Sequence, residues 1–210
     1  MLANFGRNVF IAPPLKVEVS PCPAESGACL IVGTAPCWRE DYDAAMKAYP
    51  DADVCLVNEA SRFPIPAKHF ATCHPEKIDH FLDPDSGFVI HVRDTEHAVN
   101  RQHIRHKVTT GSSSAMFAAV VMASIGYDRV ILCGCPMNGG GGYSPDIGVT
   151  HDSTRDDPRV GFISPDHPLI KLWHNSIAEM REKYPEICGK VRSMSGHTKQ
   201  AFGGIDDDKH

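Results

Sequence analysis

Along the chain, short apolar runs alternate with longer mixed segments. Ala28 to Val32, Val54 to Val57, Phe88 to Val92 and Val130 to Cys133 are runs of four or five mainly apolar residues bounded by turn-formers, which predicts strands buried on both faces. His69 to Cys73 and Val191 to Met194 predict two further short strands. Helical spacing appears from about Trp38 to Tyr49, briefly toward Phe81, and from Pro168 to Tyr184, where Leu169, Leu172, Trp173, Ile177 and Met180 share one face. From Ser114 to Ile125 no charge occurs and nearly every residue is apolar or small, so this helix is expected to be buried all round. Strands alternating with helices predict an α/β fold: a single-domain, mostly parallel, Rossmann-like doubly wound sheet. Arg93 to Lys107 reads as a polar connection, and its histidines, His97, His103 and His106, together with His91, read as a solvated face.

The turns carry the candidate chemistry. Thr109 to Ser114 are cap-forming residues ahead of the apolar helix, and Gly126 closes it. Such a helix start is either a simple cap or an anion site, because free backbone amides point outward at the positive end of the dipole. Gly33-Thr34-Ala35-Pro36-Cys37 turns the first strand into a helix, the geometry that lets backbone amides approach a phosphate, although it is neither G-x-G-x-x-G nor a Walker loop. Asn58 follows the second strand and His74 the third, both at the edge where open α/β sheets place ligands. Asn138 and four glycines then open a proline-bearing segment to about Asp166, expected to act as a Gly-rich lid.

Composition narrows the function. A length of 210 residues suits one core: an irregular lead-in over 1–27 with an edge strand near Leu15–Val19, one domain over 28–204, and a disordered tail over 205–210. The net charge of −5 and the lack of a basic run argue against a nucleic-acid partner. With no apolar run of membrane-spanning length and no signal-like start, a cytoplasmic protein without a membrane span is expected. Several of the eight cysteines sit inside apolar runs and read as free thiols, and Cys133-x-Cys135 lacks zinc-ligand spacing, so no metal is expected.

The order of these motifs resembles the bacterial sialyltransferases of glycosyltransferase family 42 and the related MptE-like (domain of unknown function 115) proteins, which include archaeal pterin diphosphokinases. The resemblance rests on Val32-Gly33-Thr34-Ala35-Pro36-Cys37, Val57-Asn58, His74-Pro75, and above all Ser113-Ser114-Ala115 with Gly126-Tyr127 and Ile131-Leu132-Cys133-Gly134. It implies nucleotide contacts at Gly33, Thr34, Ala35, Asn58, His74, Ser113 and Ser114, a phosphate contact at Tyr143, and a general base at His167. The chain departs from the family at Cys37 for Ser, at Ser113-Ser114-Ala115 for T-S-G, and at Cys135-Pro136-Met137 for an acidic residue.

The activity this implies is a nucleotide-dependent, glycosyltransferase-like transferase acting on a nucleotide or nucleotide-sugar, with no cofactor and a possible homo-oligomeric state. The chemistry requires stabilisation of a departing phosphate and a base for the acceptor hydroxyl, for which histidine is suited. Two alternatives stand beside it. A diphosphokinase would require Mg²⁺, with Asp146, Asp152, Asp156 and Asp157 as carboxylates. An inactive nucleotide-binding protein would keep only the pocket.

Overall fold

The computed structural model describes residues 27–83, 85–95, 103–111, 113–138, 144, 146, 166 and 168–207. The expected lead-in strand, the glycine run, Tyr143 and His167 lie outside the described residues. No helix among the described residues is long and apolar enough to cross a membrane.

Seven strands form one parallel sheet: β1 (Ala28–Val32), β2 (Asp53–Val57), β3 (His69–Thr72), β4 (Val89–Arg93), β5 (Ile104–His106), β6 (Arg129–Cys133) and β7 (Val191–Ser193). Their order is β5-β4-β3-β2-β1-β6-β7, each pair parallel. The first five strands march outward from β1, and the chain then returns to lay β6 on the other flank of β1. This reversal makes β1 and its neighbours a topological switch point, where the loops on the carboxyl side diverge and leave a crevice.

The apolar runs form the central strands because both faces are covered. On one face Cys29, Ile31, Cys55, Val57 and Ala71 pack under the helix Ser114–Ser124, with Val130 and Leu132. On the other, Leu30, Val32, Leu56, Phe70 and Ile131 meet Trp38 and Ala45 of the first helix. The helices in chain order are α1 (Trp38–Ala48), α2 (Ile78–Phe81), α3 (Ser114–Ser124), α4 (Pro168–Lys183), α5 (Pro185–Cys188) and α6 (Gly196–Phe202).

As its lack of charge predicts, α3 is buried from Ser114 to Ala123. Ser113 caps it, its hydroxyl accepting from Met116 N–H at 3.3 Å. Gly126 closes it at φ 122°, and Tyr127 N–H reaches back to Met122 O at 3.3 Å, the long bond of a glycine-terminated helix end.

Four expectations are corrected. The polar connection after Arg93 contains an edge strand, β5, in register with β4. Within the expected solvated face, His91 and His106 are fully buried, and His69 joins them beneath α3. The α4 face divides: Ile177 and Met180 enter the core, whereas Leu172 is 44% exposed. The tail placed from residue 205 starts as a turn: Ile205 packs on the sheet, and Asp207 accepts from Gly204 N–H at 2.6 Å. Seven cysteines among the described residues are free thiols.

Candidate functional site

The loops after β1, β2, β3 and β6 open onto one cavity of about 310 Å³ at the carboxyl edge of the sheet. Gly33, Thr34 and Ala35 come from the first turn, Asn58 from the second, His74 from the third, and Ser113 and Ser114 from the start of α3. All seven residues expected to contact a nucleotide therefore line the same cavity.

The loops are locked by hydrogen bonds rather than by packing alone. Gly33 N–H donates to Cys133 O at 2.8 Å, and Ala35 N–H to Gly134 O at 3.1 Å, joining the turns after β1 and β6. A Cβ at Gly33 would stand 2.5 Å from Cys135 Sγ and 2.7 Å from Gly134 O, so close approach of two turns demands glycine there. Asp41 of α1, buried, accepts from Gly134 N–H at 2.9 Å and from Ser195 Oγ at 2.7 Å. One carboxylate thus fastens the loops after β6 and β7 to α1. Thr198 Oγ1 adds a bond to Cys135 O at 2.8 Å, so the loop beginning at Ser195 shares the edge without lining the cavity.

Two non-glycine residues among those described have left-handed backbone, Asn58 and Met137, both at φ 51°, and both line this cavity. Holding a side chain in that region costs on the order of 1–2 kcal/mol, and such strain collects where a ligand dictates the geometry. Asn58 is also oriented: its Oδ1 accepts from Thr72 Oγ1 at 2.8 Å, while that hydroxyl accepts from His74 N–H at 3.0 Å. With the oxygen engaged, the amide NH₂ is the group left to donate.

At the α3 start, both serine hydroxyls already serve the fold. Ser113 caps, and Ser114 Oγ accepts from Cys73 N–H at 3.1 Å. What remains for an anion is backbone: the amides of Ser114 and Ala115, in the first turn, have no preceding helical carbonyl to bond. Ala115 lines the cavity beside them.

Sequence reasoning missed the rest of the wall. Lys77 supplies a cation and the buried Glu59 a carboxylate. Leu169, Leu172 and Trp173 of α4, with Met137, supply the apolar part of the lining. Helical periodicity places these α4 residues on one face with Ile177 and Met180, and no local signal in the sequence separates the two groups.

Residues on either side of the glycine run are described. Asn138 lines the cavity, and Ser144 is bound through its amide to Thr34 O and through its hydroxyl, as acceptor, to Trp38 Nε1 at 3.2 Å. Asp146 accepts from the same indole at 3.1 Å, so this carboxylate is engaged away from the cavity. Burial holds the thiols nearby protonated, pushing Cys37 and Cys73 up to about 11 and Cys135 higher still. Among the described residues no group of three His, Cys, Asp or Glu is placed to hold a metal ion.

No protein-family model, no curated protein and no solved structure matches the chain.

Proposed function

We propose that the protein binds a nucleotide in the carboxyl-edge cavity and transfers a group from it, as a glycosyltransferase-like enzyme with a nucleotide-sugar donor. The observation that carries this reading is the convergence on one cavity of Gly33, Thr34, Ala35, Asn58, His74, Ser113 and Ser114, which come from four separate loops. The cavity lining offers both kinds of contact that such a ligand requires. Free amides of α3 and the Lys77 ammonium suit a phosphate, and the Leu172 and Trp173 wall suits a flat base or the carbon face of a sugar.

In the transfer step the phosphate leaves with negative charge, which the α3 amides and Lys77 stabilise. The acceptor hydroxyl loses its proton to a base. His167 and Tyr143 are the residues the family resemblance implies for base and phosphate contact. Among the described residues, His74 is the imidazole lining the cavity; Glu76 Oε1 lies 3.2 Å from its Nδ1, which leaves Nε2 to take a proton.

The test is a thermal-shift screen of nucleotides and nucleotide sugars with and without Mg²⁺, followed by turnover assays. A ligand at one hundred times its Kd adds roughly 2.7 kcal/mol of stability. Stabilisation by a nucleotide sugar, with transfer or slow hydrolysis and no need for Mg²⁺, is expected. A strict Mg²⁺ requirement with ATP would transfer the reading to a diphosphokinase, and binding without turnover to a nucleotide-binding protein. His167→Ala lowering kcat about 10²–10⁴-fold at nearly unchanged donor Kd identifies the base; the same result at His74→Ala moves the role there.

A further inference from the structure

Beneath α3 a row of hydrogen-bonded side chains crosses half the sheet. Tyr127 Oη donates to Asp53 Oδ2. His69 Nε2 lies 2.9 Å from the same Tyr127 oxygen, His69 Nδ1 is 3.1 Å from His91 Nε2, and His91 Nδ1 is 2.9 Å from His106 Nε2. Asp53 is the first residue of β2, at the amino edge, half-exposed and paired with Lys68 at 3.1 Å. His106 is the last residue of β5 and sits opposite Arg93, the last of β4, so the row ends at the carboxyl edge.

The direction of every bond follows from one end. A carboxylate paired with an ammonium only accepts, so Tyr127 donates to it and must accept from His69. His69 then carries its proton on Nε2 and accepts at Nδ1; His91 does the same, and so does His106. The last acceptor, His106 Nδ1, is buried and has no hydrogen-bond partner among the described residues. One lone pair is left waiting for a proton at the far end of a row in which every other site is used.

We propose that this row is a proton path, in which a proton arriving at His106 Nδ1 is delivered to Asp53 without any histidine becoming an imidazolium. As Nδ1–H forms, His106 Nε2 releases its proton to His91 Nδ1, and His91 Nε2 releases its own to His69 Nδ1. His69 Nε2–H passes to the Tyr127 oxygen, and the original Tyr127 proton moves to Asp53. Tyr127 and each of the three histidines gain one O–H or N–H bond and lose one, Asp53 gains one and becomes neutral, and the path runs from the carboxyl end of β5 to the Asp53–Lys68 ion pair at the amino edge. It does not depend on the identity of the cavity's ligand.

The surroundings favour neutral rings. Burial holds His91 down to about 3 and His106 to about 4, and burial followed by the Asp53 hydrogen bond pushes Tyr127 up. From β1 and β2 the thiols of Cys29 and Cys55 face Tyr127, Cys73 just after β3 belongs to the same core, and Lys68 stands beside Asp53. Arg93 lies over Phe117, whose ring meets His106 edge-on, and α4 and α5 bring Tyr184 to Thr109 N–H at 3.2 Å. The covering helix, α3, contributes no charge.

Long-range proton–nitrogen NMR on the labelled full chain tests the path. At neutral pH His69, His91 and His106 are expected as neutral rings with the proton on Nε2; a proton on Nδ1 at any of the three, or an imidazolium, overturns the proposal. Asp53→Ala then removes the oxygen that accepts from Tyr127, so Tyr127 is expected to donate to His69 Nε2 instead and the row to reverse, with the proton of His91 and His106 on Nδ1. Packing alone would leave those tautomers as in the wild type, which would refute conduction through the row. Should Asp53→Ala fail to fold, Tyr127→Phe serves: with the link to Asp53 cut, His91 is expected to show both tautomers, and an unchanged His91 contradicts the path.

Discussion

Replacing Asn58 separates the cost of the site from its use. Its backbone lies at φ 51°, and its side chain makes one bond to the fold, from Thr72 Oγ1 at 2.8 Å. In Asn58→Gly that bond is lost, at about 0.5–1.5 kcal/mol, while the left-handed backbone no longer opposes a Cβ, a relief of up to about 1–2 kcal/mol. The two nearly cancel, so stability is expected within about 1 kcal/mol of the wild type. In Asn58→Ala the bond is lost and the strain kept without the tolerance an Asn side chain brings, which is expected to cost about 2 kcal/mol. Both variants remove the amide donor from the cavity, and one lost hydrogen bond to a ligand weakens affinity about tenfold, near 1.4 kcal/mol. Urea unfolding gives the stabilities, and titration calorimetry with the nucleotide found by screening gives the affinities. Full affinity in Asn58→Gly would return Asn58 to a turn-former, and equal destabilisation of the two variants would refute the strain argument.

Ser114→Ala and Ser114→Pro both orphan the Cys73 N–H, costing about 1–3 kcal/mol of stability, but only the proline removes the helix amide; in urea unfolding and calorimetry together, nucleotide affinity is expected to fall in the proline variant alone. Asp41→Ala leaves Gly134 N–H and Ser195 Oγ without their acceptor, and is expected to lose roughly 3 kcal/mol in chemical denaturation and to weaken ligand binding through the displaced Gly134 turn. Acid sensitivity follows from His91 and His106, whose folded values near 3 and 4 lie below the unfolded value of 6.5. The unfolded chain then binds more protons, so stability falls as pH drops from about 6.5 toward 4, by about 1.4 kcal/mol per pH unit for each histidine. Replacing His91 with Leu is expected to flatten that slope by one proton, as read from unfolding free energies at pH 6.5, 5.5 and 4.5; an unchanged slope would mean that His91 does not titrate on unfolding.

The sheet was legible because the apolar runs of β1, β2 and β6 are buried on both faces and admit little else. The seven cavity residues from Gly33 to Ser114 were legible for a related reason: each directly follows a strand or opens a core helix, and parallel topology sends all such positions to one edge. β5 was not legible. Its three residues, Ile104-Arg105-His106, have no apolar alternation, and they form a strand because the preceding strand offers an edge and because His106 Nε2 finds a partner in His91 Nδ1. The buried histidines were misread on the same ground, since an imidazole reads as surface unless its partners, here on β3, β4 and the turn at Tyr127, are known. Asp41 looked like an ordinary acid in a helix's first turn; only the closeness of Gly134 makes it a clamp. Leu172 and Trp173 had the spacing of core residues, and nothing local shows that the first turns of α4 overhang a cavity.

The most direct test of the nucleotide reading is a structure of the protein with the best nucleotide from the screen at saturation. The account predicts the phosphate at the amides of Ser114 and Ala115, within reach of Lys77, with Asn58 donating to the ligand and the base or sugar against Leu172 and Trp173. A nucleotide bound elsewhere, or a phosphate turned away from the α3 start, would contradict it.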